Sequence, residues 1–285
     1  MLTELYRKGG RVCEPAREGR LRCPLIVRPT SEDVITGHLS LVLRALNPRW
    51  WLPDLLNAAL GTDRFRRQVF RQLCIEPWKN LKSYPQELLP WPEGSTQVDL
   101  SIRWKNPRTT VFIETKYHAP PAAKVQGDTG EHGYPSDQLI RNIRVGLHEC
   151  GWIQRATMFD STPADFVFIL LTPRGGEPLI HRYRSTQQLL NSIPQRDRLI
   201  GLPAMPFVGE LTYDALRAAL VRRIKQYTRP ERVLVETLSD YLQQKLSHYQ
   251  ANTIRQKDLP GFEAKRKPSP AGTNPKILNG GVPHR

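Results

Sequence analysis

Asp99, Glu114 and Lys116 are the residues of this chain whose types and spacing could do chemistry. They lie on two alternating apolar runs, 98–104 and 109–116, separated by Lys105, Asn106, Pro107 and Arg108. Strict alternation reads as half-buried strand, and Asn-Pro reads as a turn. Folding the runs back on that turn pairs Trp104 with Thr109, Ile102 with Val111, and Asp99 with Glu114. Directly opposed side chains have Cβ atoms about 5 Å apart, and like charges there repel. Two acids so placed make sense with something positive between them. Carboxylates are hard oxygen ligands of the kind that Mg²⁺ or Mn²⁺ takes. Lys116 stands two residues beyond Glu114 and so shares its face. The other face of the hairpin is expected to carry Val98, Leu100, Ile102, Val111 and Ile113.

The elements that must position these residues are legible from periodicity and capping. A first helix spans about 32–46, with Thr30 or Ser31 as its cap and Asp33 completing a capping box. Its apolar stripe is Ile35, Leu39, Val42 and Leu46. Helices are expected at 53–60 and 63–73; in the latter, Arg64, Arg67 and Arg71 form a basic stripe that reads as a solvated face. Residues 77–95 are proline-rich, with an edge strand near 81–88. After the hairpin comes a Gly- and Pro-rich loop, about 118–135, which could act as a flap. A helix follows at 136–149. The unbroken apolar run 166–171 has the signature of a central strand buried on both faces. A short helix near 187–191 and an irregular stretch precede two closing helices. One uses Leu216, Leu220, Ile224 and Tyr227. The other, capped by Thr228, uses Leu234, Leu238, Leu242 and Tyr249.

Composition narrows the class. The chain has 285 residues and a net charge of +15. Residues 1–30 hold seven Lys/Arg against three acids, and residues 251–285 hold seven against two, so the ends carry +9 of that charge. Such basicity attracts polyanions, of which nucleic acid is the commonest. It serves equally for solubility or contact with a partner protein. The four cysteines show no zinc spacing, and neither do His118, His132 and His148. Gly127, Gly130 and Gly133 are not followed by the Gly-Lys-Ser/Thr of a phosphate-binding loop. No run approaches the roughly 20 apolar residues of a membrane span. The expectation is a cytoplasmic protein with no membrane partner.

The order of helix, strand, hairpin with Asp then Glu-x-Lys, helix and buried strand resembles the PD-(D/E)XK nuclease superfamily over about residues 31–175. The family pattern reads here as Val98-Asp99, then Glu114-Thr115-Lys116. Valine replaces the usual proline before the aspartate, at a position that is not a ligand. The resemblance implies an α/β fold with a central mixed β-sheet flanked by helices. This is the αβββαβ restriction-endonuclease-like core, with a C-terminal helical extension. The expected organisation is a basic segment at 1–29, the α/β domain at 30–210, C-terminal helices at 211–250 and a basic disordered tail at 251–285.

The resemblance further implies a metal-dependent nuclease hydrolysing DNA phosphodiesters, with Mg²⁺ as cofactor and Mn²⁺ as substitute. Bacterial relatives of this kind serve in restriction or anti-phage defence. Asp99, Glu114 and the backbone carbonyl of Thr115 would hold the metal. Lys116 would orient or deprotonate the attacking water and offset negative charge. Glu32, in the first turn of the first helix, matches an acid that reaches the metal-bound water. It equally suits the helix dipole, and Asp33 competes with it. Gln138 matches an accessory polar residue, and Arg141 and Arg144 follow on its face, where they could hold a phosphate. The alternatives are a catalytically inactive nucleic-acid-binding or scaffold subunit and an RNA nuclease. The resemblance also allows a homodimer or partner subunits.

Overall fold

The computed structural model describes residues 32–82, 84–117, 133–135, 137–154 and 162–257. Their elements, in chain order, are α1 (Glu32–Ala45), α2 (Leu52–Leu60), β1 (Arg71–Leu81), β2 (Thr96–Lys105) and β3 (Thr109–Thr115). There follow α3 (Gln138–Glu149), β4 (Asp165–Thr172), α4 (Pro178–Arg184), α5 (Thr186–Asn191), β5 (Val208–Thr212), α6 (Tyr213–Val221) and α7 (Arg229–Lys257). Contacts divide the chain into two units, Met1–Tyr249 and Gln250–Arg285. In the second, only the end of α7 is described, so that helix runs past the Ala251 boundary expected for a disordered tail. The rest of that tail, the segment 1–29 and the Thr30/Ser31 cap lie outside the described residues.

The five strands form one mixed sheet in the order β1-β2-β3-β4-β5. β1 pairs antiparallel with β2 and β2 with β3, whereas β4 pairs parallel to β3 and β5 parallel to β4. Antiparallel strands can be joined by a tight turn, but a parallel pair needs a crossover. The chain between β3 and β4 supplies one that contains α3.

Central β4 has two apolar faces, which is why its sequence does not alternate. Val167 and Ile169 join a core with Ile35 and Leu39 of α1, Leu56 of α2, Leu216 of α6 and Leu242 of α7. Phe166 and Phe168 join a second core with Leu139 and Ile143 of α3, Ile180 of α4 and Leu189 of α5. The sheet is thus the middle of three layers. Gly146 lets α3 approach β4: a Cβ there would lie 2.1 Å from the Phe166 ring.

The hairpin forms as expected, with Trp104 opposite Thr109 and Ile102 opposite Val111. Asn106 takes a positive φ of 60° at its turn. One assignment within it changes. Leu100 and Ile102 face the first core, but Val98 belongs to the second. The neighbouring β1 does the same, with Ile75 in the first core and Leu81 in the second. Both strands therefore change face around Trp78 and Asp99, where Trp78 has a φ of 48°. An ideal period of two would keep each pair on one face.

Three other expectations are corrected. Residues 63–73 are not a helix: 64–67 form turns and β1 starts at Arg71. Phe65 packs edge-on against Trp104, with ring centroids 6.4 Å apart, while Val69 is exposed. Their i, i+4 spacing mimicked an apolar stripe. The edge strand expected near 81–88 does not form there: Gln86–Leu88 is a short 3-10 helix, and the edge of the sheet is β1, which ends at Leu81. It tolerates Pro77 because an edge strand can leave one side of its ladder unpaired. β5 lies within the stretch expected to be irregular. Gly209 interrupts its pattern because α2 crosses closely there, with Ala59 O 2.4 Å from where a Cβ would be.

Candidate active site

The hairpin register puts Asp99 and Glu114 one step beyond the Leu100–Ile113 pair, at its open end. The Asp99 carboxylate accepts a hydrogen bond from the Thr115 backbone N–H at 2.8 Å. This ties β2 to the end of β3. Lys116 follows directly, and its own N–H donates to the carbonyl of Leu171 on β4 at 2.8 Å. The site thus sits where β3 and β4 end side by side.

Glu114 is 2% exposed and its carboxylate is surrounded by donors. Lys116 Nζ donates to Oε1 at 2.8 Å, and Gln138 Nε2 donates to the same oxygen at 2.5 Å. Asn142 Nδ2 donates to Oε2 at 3.0 Å. Gln138 is the first residue of α3, whose N-terminus is fixed by Asp137, accepting from the backbone N–H groups of Leu139 and Ile140. A side-chain acceptor before the first turn satisfies donors that have no intrahelical partner.

Glu32 opens α1 and approaches from the opposite helical layer. Its carboxylate accepts from the Tyr117 backbone N–H at 3.0 Å and lies 3.5 Å from Lys116 Nζ. Asp33, the competing acid, instead accepts from Trp78 Nε1 at 3.0 Å. A further hydroxyl, Tyr213 OH, donates to the Lys116 carbonyl at 2.9 Å. The Lys116 backbone is therefore fixed on both sides of its Cα.

Charge and burial act against each other here. Burial first, and then the neighbouring Asp99, raise the Glu114 carboxyl well above the usual carboxylate range; Lys116 offsets this only in part. Burial pulls the Lys116 ammonium down, but Glu114 and Glu32 outweigh it and leave the group above its ordinary value. Lys116 is thus a charged ammonium near neutrality, gripped by two acids.

The donor set of Asp99, Glu114 and the Thr115 carbonyl is all hard oxygen and fits Mg²⁺ or Mn²⁺ in kind. Glu114, one of the residues that would hold such an ion, already accepts from Lys116, Gln138 and Asn142. Among the described residues, no three His, Cys, Asp or Glu side chains gather into a cage of their own.

The arginines assigned to a phosphate are not at a surface groove. Arg144 is fully buried; its Nη2 lies 3.4 Å from Glu93 Oε1, and its guanidinium is 5.1 Å from the Trp91 ring centre. Arg141 donates to the carbonyls of Gly94 and Ser95. Both side chains brace the segment that leads into β2, so the phosphate role given to them is withdrawn. Asn142 was the residue missed. It stands four positions after Gln138, one helical turn on, and that spacing fits the face of Gln138 as well as the three-residue spacing to Arg141. Thr96 Oγ1 donates to its Oδ1 at 2.9 Å, which orients the amide so that its NH₂ faces Glu114. His118 and His132 lie outside the described residues, and His148 packs against Tyr84 with ring centroids 5.9 Å apart.

No family model, curated protein or solved structure matches the chain. Among the described residues, no helix is long and apolar enough to cross a membrane.

Proposed function

We propose that this protein is a metal-dependent nuclease of the PD-(D/E)XK kind, hydrolysing DNA phosphodiesters. The observation that carries this reading is the convergence of Asp99, Glu114, Lys116, Glu32 and Gln138 at one end of the sheet. They come from four separate segments of the chain and from both helical layers. The element order of helix, three-strand meander, helix and parallel strand supports a restriction-endonuclease-like core.

In this reading Asp99, Glu114 and the Thr115 carbonyl hold Mg²⁺ or Mn²⁺. Such an ion would supply a water of lowered pKa and positive charge beside the reacting phosphate. Lys116, kept as an ammonium by Glu114 and Glu32, acts by charge and hydrogen bonding, not as a resting base. Gln138 and Asn142 hold the Glu114 carboxylate in one orientation. Glu32 lies within reach of a water beside Lys116.

Incubation of purified protein with plasmid and Mg²⁺ or Mn²⁺ tests this. Cleavage is expected, with Asp99→Ala and Lys116→Ala each lowering the rate by about 100-fold or more. Cleavage equally fast in both variants would remove the assigned site. One observation favours a second, catalytically silent reading: the Lys116 ammonium already bridges Glu114 and Glu32 without any metal. That reading predicts no cleavage under any divalent cation, on DNA or on RNA.

A further inference from the structure

With Arg144 buried and Arg141 engaged on backbone carbonyls, the site lacks the phosphate contacts expected from α3. Arginines also gather at the other end of the sheet, with Asp54 and Asp63 as the acids beside them. There, two clefts of about 760 and 610 Å³ adjoin and share Arg66 and Arg223. They lie beside α2, the end of α6 and the 61–70 connection. Phe70, in the second cleft, packs on Trp104, with ring centroids 5.1 Å apart. Trp104 pairs with Thr109, the first residue of β3, whereas the acids and Lys116 stand at the far end of that strand. Seven residues of β3 span about 20 Å at roughly 3.3 Å per residue.

The clefts hold five arginines: Arg49, Arg66, Arg67, Arg222 and Arg223. Asp54 pairs with Arg222 at 3.5 Å and with Arg223 at 3.1 Å. Arg66 and Arg67 are exposed and have no ion pair among the described residues. Trp50 and Phe70 are half-buried between these cations, and Arg49 lies 5.1 Å from the Trp50 ring centre. An acidic peptide would use the cations but not the rings. A flexible nucleic-acid strand uses both, with phosphates on arginine and bases on aromatic faces. A duplex about 20 Å wide presents its phosphates outside and its bases stacked within, so it cannot use rings set in a cleft.

We infer that these two clefts form one groove that binds single-stranded nucleic acid, separate from the acid–lysine site. The groove would give the nuclease reading a hold on a single-stranded stretch of nucleic acid, apart from the strand being cut. It rests on that reading only for the choice of polymer.

Fluorescence anisotropy of a labelled single-stranded 20-mer, measured with the full chain in EDTA, tests the groove without any cleavage. Reversing both free cations, Arg66→Glu/Arg67→Glu, is expected to weaken binding by about tenfold or more and to flatten its salt dependence. Arg182→Glu/Arg196→Glu makes the same charge change on exposed residues of the other helical layer and is expected to change affinity less than about twofold. Equal losses in both variants would reduce the effect to net charge and overturn the groove. So would an unchanged affinity in the first variant, or competition by duplex or polyglutamate as effective as by the single strand. Normal groove binding without plasmid cleavage would sink the nuclease reading alone; cleavage without groove binding would sink the groove alone.

Discussion

Glu114 is the residue on which the site turns. Burial and Asp99 raise its carboxyl in the folded chain, so the native state favours the protonated form. Below the ordinary Glu pKa of about 4.3, both folded and unfolded chains carry the proton and no penalty arises. As pH rises above that, the unfolded chain ionises first and native stability is lost until the raised folded value is passed. Metal-free protein should therefore gain stability from Glu114→Gln at pH 8 relative to its gain at pH 4. Urea unfolding of both proteins at both pH values measures this, and a gain that shrinks with rising pH would contradict it. Asn142 carries the neighbouring prediction. Asn142→Ala removes a buried bond to the Glu114 carboxyl and leaves Thr96 Oγ1 without its acceptor. The expected cost is about 1–3 kcal/mol by denaturant unfolding. Asn142 was legible as a turn-mate of Gln138, but periodicity alone does not say which of two spacings meets the acid.

At the scale of elements, α3 links the site to the second core. Its first residue holds Glu114, while Gly146 lies against Phe166 of β4. Gly146→Ala should cost about 1–3 kcal/mol by overpacking. A smaller ring partner, Phe166→Leu, should restore part of that loss in the double variant, a coupling that a thermodynamic cycle reads directly. Additive losses would show that the helix shifts freely. The same helix carries Arg144, whose buried charge faces Glu93. Glu93→Ala strands that charge and should cost about 3–5 kcal/mol. Arg144 and Arg141 thus hold the approach to β2, which sets where Asp99 lies. In sequence they were indistinguishable from a phosphate clamp, because an arginine on the inward face of a helix looks alike whether it meets a ligand or a buried acid.

At the scale of the molecule, two cores sandwich one sheet, and the thiols report on it. Cys74 is exposed on the edge strand β1, whereas Cys150 is buried after α3, with its pKa pushed up to about 12 by burial. Alkylation at pH 8, read by peptide mass spectrometry, should modify Cys74 rapidly and Cys150 only through unfolding. Comparable rates at the two sites would mean that the sheet's second face opens readily.

The sequence by itself determined the hairpin, its register, the doubly buried β4 and the placing of two acids and a lysine at one strand end. These follow from alternation, from a turn dipeptide and from the short range over which a strand's period holds. Tertiary structure decided the rest: Glu32 over Asp33, Asn142 beside Gln138, the arginines turned inward, β1 in place of a third helix, and the face change at Trp78 and Asp99. Periodicity specifies which side chains leave the solvent. It carries no information about which buried face each one meets, and that choice is made by packing between elements distant in the chain.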